Sequence, residues 1–97
     1  MGENKLNSAK IVGELSKLAV EISENTKTDV FVRYSPHVNN VTIDIHLNGW
    51  TSDRHKPTYL SIDLKTGDVY EPSTSTNLLN GQKWHIGMVF NYLNSML

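Results

Sequence analysis

The sequence VTIDIHL at residues 41–47 alternates apolar and polar side chains without a break. Successive side chains of a β-strand point to opposite faces of a sheet, so this alternation predicts a strand with one buried face and one solvated face. The apolar positions are Val41, Ile43, Ile45 and Leu47. Because β-branched side chains dominate these positions, we expect this strand to lie at the centre of the sheet.

Three further segments alternate with the same period of two, and they fit around the central strand. The predicted strands are residues 29–35, 58–64 and 68–71. Pro36 ends the first of these segments, and Gly67 can adopt the positive φ of a tight turn between the last two. Strands that follow one another in this way pair with opposite directions, so the sequence predicts an antiparallel meander of three or four strands.

A helix is predicted at each end of the meander. Apolar residues recur at three- and four-residue spacing through residues 5–24, and Asn4 or Asn7 is a suitable N-cap. A second amphipathic pattern covers residues 80–97. Because the meander has one apolar face, we expect both helices to pack on that face. The predicted fold class is α+β, in the order helix, strands, helix.

The opposite face of the sheet is predicted to remain open to water or to a partner. It carries polar and aromatic side chains of the two middle strands, which are Thr42, Asp44, His46, Tyr59, Ser61 and Asp63. Charged, imidazole and aromatic groups are the ones that recognise partners most specifically. The candidate binding residues on this face are therefore Asp44, His46, Tyr59 and Asp63.

Composition restricts the class of protein. A chain of 97 residues is too short to divide, so we expect a single domain over residues 1–97. Nine basic and ten acidic residues nearly cancel, which argues against binding nucleic acid by bulk charge. The absence of cysteine excludes disulfides and thiolate chemistry. No segment has the pattern of a signal peptide or a membrane span, so the predicted location is the cytoplasm, without a membrane partner.

Asp44 and the triplet Asp63-Leu64-Lys65 suggest one possible chemistry. The order of helix, strand, strand with Asp and strand with Asp-x-Lys resembles the core of the PD-(D/E)xK nucleases over residues 5–65. In that family two carboxylates hold Mg²⁺, and the lysine positions or activates the attacking water. The resemblance implies that Asp44 and Asp63 would be metal ligands and that Lys65 would be the lysine.

The histidines offer a weaker indication of a metal site. They are His37, His46, His55 and His85, and no two of them have the local spacing of metal ligands. Asp44, His46 and Asp63 share a predicted strand face and could hold a divalent ion, but a solvated strand face accounts for the same residues. We therefore predict no catalytic residue, no metal and no other cofactor.

The connection at residues 48–57 is a second candidate binding element. Its candidate residues are Trp50, Asp53, Arg54, His55 and Lys56. Tryptophan and arginine dominate binding hot spots, and the same residue types stack on and neutralise nucleic acid. The alternative is that Trp50 folds back to cover the edge of the core, because tryptophan is seldom left in water.

These features favour a binding module over an enzyme. We expect a non-enzymatic protein that binds and inhibits or modulates a host protein or a protein–nucleic-acid complex. Ten asparagines, and seven lysines against two arginines, suggest an AT-rich coding sequence. In size, AT-rich composition and lack of motifs, the chain is similar in kind to small accessory proteins of phages and mobile elements in low-GC bacteria. The alternatives are a small metal-dependent nuclease or its inactive relative, and a nucleic-acid-binding domain. The apolar Met96 and Leu97 either dock on the sheet or form a homodimer.

Overall fold

The computed structural model describes residues 7–47, 57–72 and 75–97. Its elements are helix α1 (Ser8–Asn25), strand β1 (Asp29–Ser35), a short 3-10 helix (Pro36–Val38), strands β2 (Asn40–His46), β3 (Thr58–Asp63), β4 (Asp68–Tyr70) and β5 (Trp84–His85), and helix α2 (Ile86–Asn94). The strands form one antiparallel sheet in the order β1-β2-β3-β4-β5. The predicted α+β class is confirmed, and β5 adds a strand to the predicted meander.

The sheet has one apolar face because the alternation stays in register from strand to strand. Ile43 of β2 lies opposite Val32 of β1 and Leu60 of β3, and Ile43 and Leu60 are fully buried. Both helices cover this face, as predicted, with α1 against β1 and α2 beside β5, and the helices also contact each other. Each fully buried aliphatic side chain stabilises the fold by about 1.5–3 kcal/mol.

Local hydrogen bonds set the ends of α1. Asn7 is the N-cap, because its side-chain oxygen accepts a hydrogen bond of 3.1 Å from the Lys10 N–H. At the other end, the N–H and the hydroxyl of Thr26 both donate to the carbonyl of Ile22, and the chain becomes extended. The predicted helix is therefore confirmed from its N-cap onward. The alternative cap, Asn4, lies outside the described residues.

The prediction of a helix over residues 80–97 is wrong at its start, because α2 begins only at Ile86. Asn80 and Gly81 have φ values of 49° and 79°, which lie in the left-handed region and interrupt any right-handed helix. The chain then pairs with β4 as β5 before it turns into α2. The N–H of Ile86 donates to the carbonyl of Gly67 at 2.9 Å, which satisfies a backbone donor at the start of the helix.

The ends of two strands differ from the predicted ones. β2 ends at His46, and Leu47 lies in the turn that follows with 58% of its surface exposed, so the prediction that it shares the buried face is wrong. Leu64 follows the end of β3 but is buried, because its N–H donates to the carbonyl of Asn39 at 2.8 Å and extends the ladder by one bond.

The turn between β3 and β4 requires glycine at position 67. Gly67 has a φ of 83°, and its N–H donates to the carbonyl of Asp63 at 2.7 Å. A Cβ added there would lie 2.5 Å from Nε2 of His85. A side chain at this position would therefore be strained by the backbone and would also push the imidazole away.

We predict that Gly67→Ala lowers the free energy of unfolding by about 2–3 kcal/mol. The left-handed backbone accounts for about 1–2 kcal/mol of this loss, and displacement of His85 accounts for the rest. Gly81→Ala is the matched control, because Gly81 also has a positive φ but an added Cβ would meet open space. Urea unfolding should show the smaller loss for Gly81→Ala, and equal losses would contradict a role for His85.

Candidate functional site

The open face of the sheet brings together side chains from four strands. One cross-strand row consists of Phe31, Asp44 and Tyr59. The next row consists of Arg33, Thr42, Ser61 and Tyr70. Because neighbouring strands lie about 4.8 Å apart, the side chains within each row are close enough to form one surface. We call these two rows the open-face site.

The open-face site forms a shallow depression rather than an enclosed pocket. A depression of about 700 Å³ lies over it and reaches the residues after β4, with Thr42, Tyr70 and Glu71 in its lining. A second depression of about 380 Å³ lies towards β1 and includes Phe31 and His46. Arg33, Asp44 and Tyr59 line both depressions, so the two are continuous. A partner group could therefore contact both rows at once.

Asp44 lies at the centre of the open-face site and is incompletely paired. Its Oδ2 atom is 3.6 Å from Nη2 of Arg33, which is a long ion pair. Its Oδ1 atom is buried, and no described residue forms a hydrogen bond with it. An unsatisfied buried polar atom costs about 1–3 kcal/mol, so a hydrogen-bond donor that reached Asp44 would recover part of that free energy.

Exposed aromatic rings surround this carboxylate. The exposed fractions of Phe31 and Tyr70 are 44% and 56%. The ring of Phe31 packs edge-to-face against the imidazole of His46, with the two ring centroids 5.4 Å apart. This contact helps to hold the Phe31 ring on the sheet. Exposed aromatic rings around an arginine and a carboxylate have the composition of a binding hot spot.

Glu71 lies at the rim of the open-face site and binds the segment that follows β4. Its carboxylate accepts hydrogen bonds from the hydroxyl of Ser75 and from the N–H groups of Leu78 and Leu79, the last two at 2.7 and 2.8 Å. Burial raises the pKa of Glu71, but hydrogen bonds from Ser75 and from the backbone of Leu79, Leu78 and Asn77 outweigh it and leave the pKa below its ordinary value. Glu71 is thus an ionised anchor for the segment that follows β4.

The predicted binding residues of the sheet are only partly brought together. Asp44, His46 and Tyr59 are neighbours on the open face, whereas Asp63 lies opposite Asn40 at the far end of β2. At 3.3 Å per residue, Asp63 is displaced from Asp44 by roughly 13 Å along the strands. Asp63 also accepts a hydrogen bond from the N–H of the turn residue Lys65 at 2.8 Å.

This separation is unfavourable for the chemistry implied by the nuclease resemblance. Asp44 and Asp63 are too far apart to coordinate one cation, and Lys65 is an exposed turn residue. Within the described ranges, no three His, Asp or Glu side chains are grouped so that they could hold a metal ion. The other predicted binding residues, Trp50, Asp53, Arg54, His55 and Lys56, lie outside the described residues.

Four residues of the site were missed by the sequence-based reasoning. They are Phe31, Arg33, Tyr70 and Glu71. The alternation in β1 places Phe31 and Arg33 on the face of the sheet opposite to that of the buried Val30. This pattern was sufficient to find them. No sequence signal identifies Glu71, because its partners are backbone N–H groups brought to it by the fold.

Comparisons of the chain with protein-family models, with curated proteins and with solved structures give no match, so the site is interpreted from its own residues. In the part of the chain that the structure describes, neither helix combines the length and the apolar character needed to cross a membrane. Among the described residues, the open-face site combines a shallow depression with an incompletely paired carboxylate and exposed rings.

Proposed function

We propose that this protein is a non-enzymatic binding module that holds a protein partner through the open-face site. The observation that carries the proposal is the buried Oδ1 atom of Asp44, which no described residue bonds to, within a shallow depression that exposes Phe31 and Tyr70. A donor group of the partner, such as a lysine or arginine side chain, would bond to the Asp44 carboxylate. The neighbouring rings would cover its apolar stem and attract its charge.

The charge of the open face supports a protein partner rather than nucleic acid. Among its described residues, one cation, Arg33, lies on the same face as the carboxylates of Asp29, Asp44, Asp63 and Asp68, and Arg33 already pairs with Asp44. Nucleic-acid surfaces need an excess of cations to neutralise phosphates. A face with excess negative charge instead repels a phosphate backbone and attracts a basic protein segment.

The proposal extends to the cellular role. A small domain that only binds acts by occupying a surface of its partner, and so inhibits or modulates it. The small size, the asparagine-rich composition and the lack of a cofactor motif support a cytoplasmic accessory protein of a phage or mobile element that acts on a host macromolecule. Affinity capture from a bacterial host lysate, followed by mass spectrometry, identifies that macromolecule.

The open-face site can be tested with two substitutions and one control. We predict that Tyr70→Ala and Asp44→Asn each weaken binding to the captured partner by about 2 kcal/mol, or roughly thirtyfold in Kd, because each removes a central contact. Val20→Ala on α1 is the control, because Val20 is 55% exposed and Tyr70 is 56% exposed, but Val20 lies on the helical side. Isothermal titration calorimetry of the three variants measures the changes.

The two outcomes of this titration separate cleanly. Unchanged affinity for Val20→Ala beside a large loss for Tyr70→Ala and Asp44→Asn would support the open-face site. If the two open-face variants bind as tightly as the unchanged protein, the partner uses another surface and the proposal fails. Circular dichroism of each variant ensures that the comparison is made between folded proteins.

A further inference from the structure

The outer edge of β1 carries backbone groups that no other described strand uses. In an antiparallel pair, alternate residues direct their N–H and C=O groups towards the partner strand and away from it. The Val30 N–H donates to the hydroxyl of Ser23 at 3.2 Å. The backbone N–H and C=O groups of the even-numbered residues of β1 therefore point away from β2. Val32 and Tyr34 share this direction, and no described residue pairs with their backbone groups.

The two halves of this edge differ. Ser23 of α1 closes the first half at Val30, and Pro36, which has no N–H, follows the end of the strand. In the second half, between them, the backbone groups of Val32 and Tyr34 have no partner among the described residues, and we call this half the open half. An unpaired edge of this kind is a template for an additional strand, because its N–H and C=O groups are satisfied only by another extended backbone or by water.

An apolar cleft lies beside the open half of the edge. It has a volume of about 380 Å³ and runs between α1 and the last residues of β1. Its lining residues are Ser8, Ala9, Val12, Gly13 and Tyr34. Gly13 leaves open space here, because an added Cβ would meet no atom within 4 Å. The cleft can therefore receive an apolar side chain from a strand that pairs with Val32 and Tyr34.

A cation, Arg33, lies on the open-face side of the edge. Arg33 lies between Val32 and Tyr34 but points to the open face, where its side chain is 67% exposed. Its long contact with Asp44 leaves most of its five N–H donors unused. The first turn of α1, which borders the cleft, carries no acidic residue. Arg33 thus offers one local cation to an acidic side chain that lies beside it on an added strand.

We propose that the open half of β1 binds an extended, acidic peptide segment as an added strand. Two apolar residues of the segment would pair with Val32 and Tyr34 and face the cleft, and the acidic residue between them would lie beside Arg33. The partner motif is therefore apolar–acidic–apolar. This surface shares Arg33 with the open-face site but makes no use of Asp44 or Tyr70, so the inference does not depend on the proposed function.

A second copy of this chain fits the edge less well. In a twofold pairing centred on Val32, Val30 would lie opposite Tyr34 of the other copy, but the Val30 N–H is already bound to Ser23. A pairing centred on Arg33 would place two arginines opposite each other, which is unfavourable. An acidic peptide avoids both conflicts because it needs only the open half of the edge.

The experiment selects peptides from a displayed library of random dodecapeptides on the unchanged protein and titrates the enriched peptides in solution. Two pairs of variants isolate the edge and the cleft. Tyr34→Pro removes the outward N–H together with the ring, whereas Tyr34→Ala removes the ring alone. Gly13→Leu fills the cleft, whereas Gly13→Ala leaves most of it open and favours the helix.

We expect the enriched peptides to contain the apolar–acidic–apolar motif. Their Kd should rise by about tenfold or more from Tyr34→Ala to Tyr34→Pro and from Gly13→Ala to Gly13→Leu. In hydrogen-exchange NMR, bound peptide should slow exchange of the Val32 and Tyr34 amides. Tyr70→Ala should bind the peptides normally.

Three results would overturn the proposal. These are the failure to enrich any binding peptide, equal affinity within both variant pairs, and loss of binding in Tyr70→Ala alone. The last result would assign the peptides to the open-face site instead. If Tyr34→Pro does not fold, the Gly13 pair still decides the question, because Gly13 is an exposed position of α1 where an added Cβ meets no atom within 4 Å.

Discussion

Ile43→Asp should unfold this protein. Ile43 has no exposed surface, and its neighbours across the sheet are Val32 and Leu60, so an aspartate there would have no cation or donor to pair with. Burying an unpaired carboxylate, together with the loss of the isoleucine, costs about 5 kcal/mol or more. That loss equals much or all of the stability of a typical small domain.

The adjacent position supplies the control for this prediction. Thr42 lies on the open face opposite Arg33, so the charge introduced by Thr42→Asp would remain in water beside a cation. Far-UV circular dichroism should show an unfolded Ile43→Asp protein and a folded Thr42→Asp protein. A cooperative melting transition for Ile43→Asp near that of the unchanged protein would show that β2 is not at the centre of the core.

The second large effect is expected at Glu71. Glu71→Gln removes the negative charge that Leu78, Leu79 and Ser75 bond to, and it directs an amide N–H₂ group towards backbone donors. Hydrogen bonds to a charged group contribute about 1.5–3 kcal/mol, so we expect a loss of about 2–3 kcal/mol in the free energy of unfolding at neutral pH. Guanidinium unfolding measures this loss.

Glu71 should also make stability depend on pH in a defined direction. Its hydrogen bonds lower the pKa in the folded state below the ordinary value of 4.5, so the unfolded chain binds this proton more readily. The stabilisation is therefore fully present above pH 4.5 and is lost as the pH falls through the folded-state pKa. Glu71→Gln should lose less stability than the unchanged protein over that acidic range.

An exposed glutamate provides the comparison. Glu24→Gln on the surface of α1 should leave the stability at neutral pH nearly unchanged. If Glu24→Gln and Glu71→Gln behave alike in unfolding experiments between pH 3 and 7, the carboxylate of Glu71 does not anchor the segment after β4. Both substitutions remove one negative charge, so net charge cannot explain a difference between them.

Local patterns were sufficient to predict most of the fold. The alternation in β2 and the helical spacing in α1 follow directly from which side chains are buried, so both elements were found within a few residues of their observed ends. The start of α2 was not found, because Trp84 fits the helical period of the residues after it. Only pairing with Val69 of β4 shows that Trp84 belongs to a strand.

The open-face site was predicted in part for the same reason. Asp44 and Tyr59 were found because their faces follow from the alternation of two adjacent strands. The ion pair with Arg33 depends on the register between β1 and β2, which the turn at Pro36 does not specify on its own. The role of Glu71 depends on backbone groups of a loop, and these groups leave no pattern in the sequence.

The order of the strands in the sheet is the same as their order along the chain. Each new strand can therefore pair with the preceding strand as soon as it has been synthesised. Such local pairing favours rapid folding. The contact between α1 and α2 is the exception, because it joins the first helix to the last. Until Val89 and Leu93 have been synthesised, the apolar side chains that they cover in the finished core would remain exposed. Exposed apolar surface of this kind binds chaperones or aggregates.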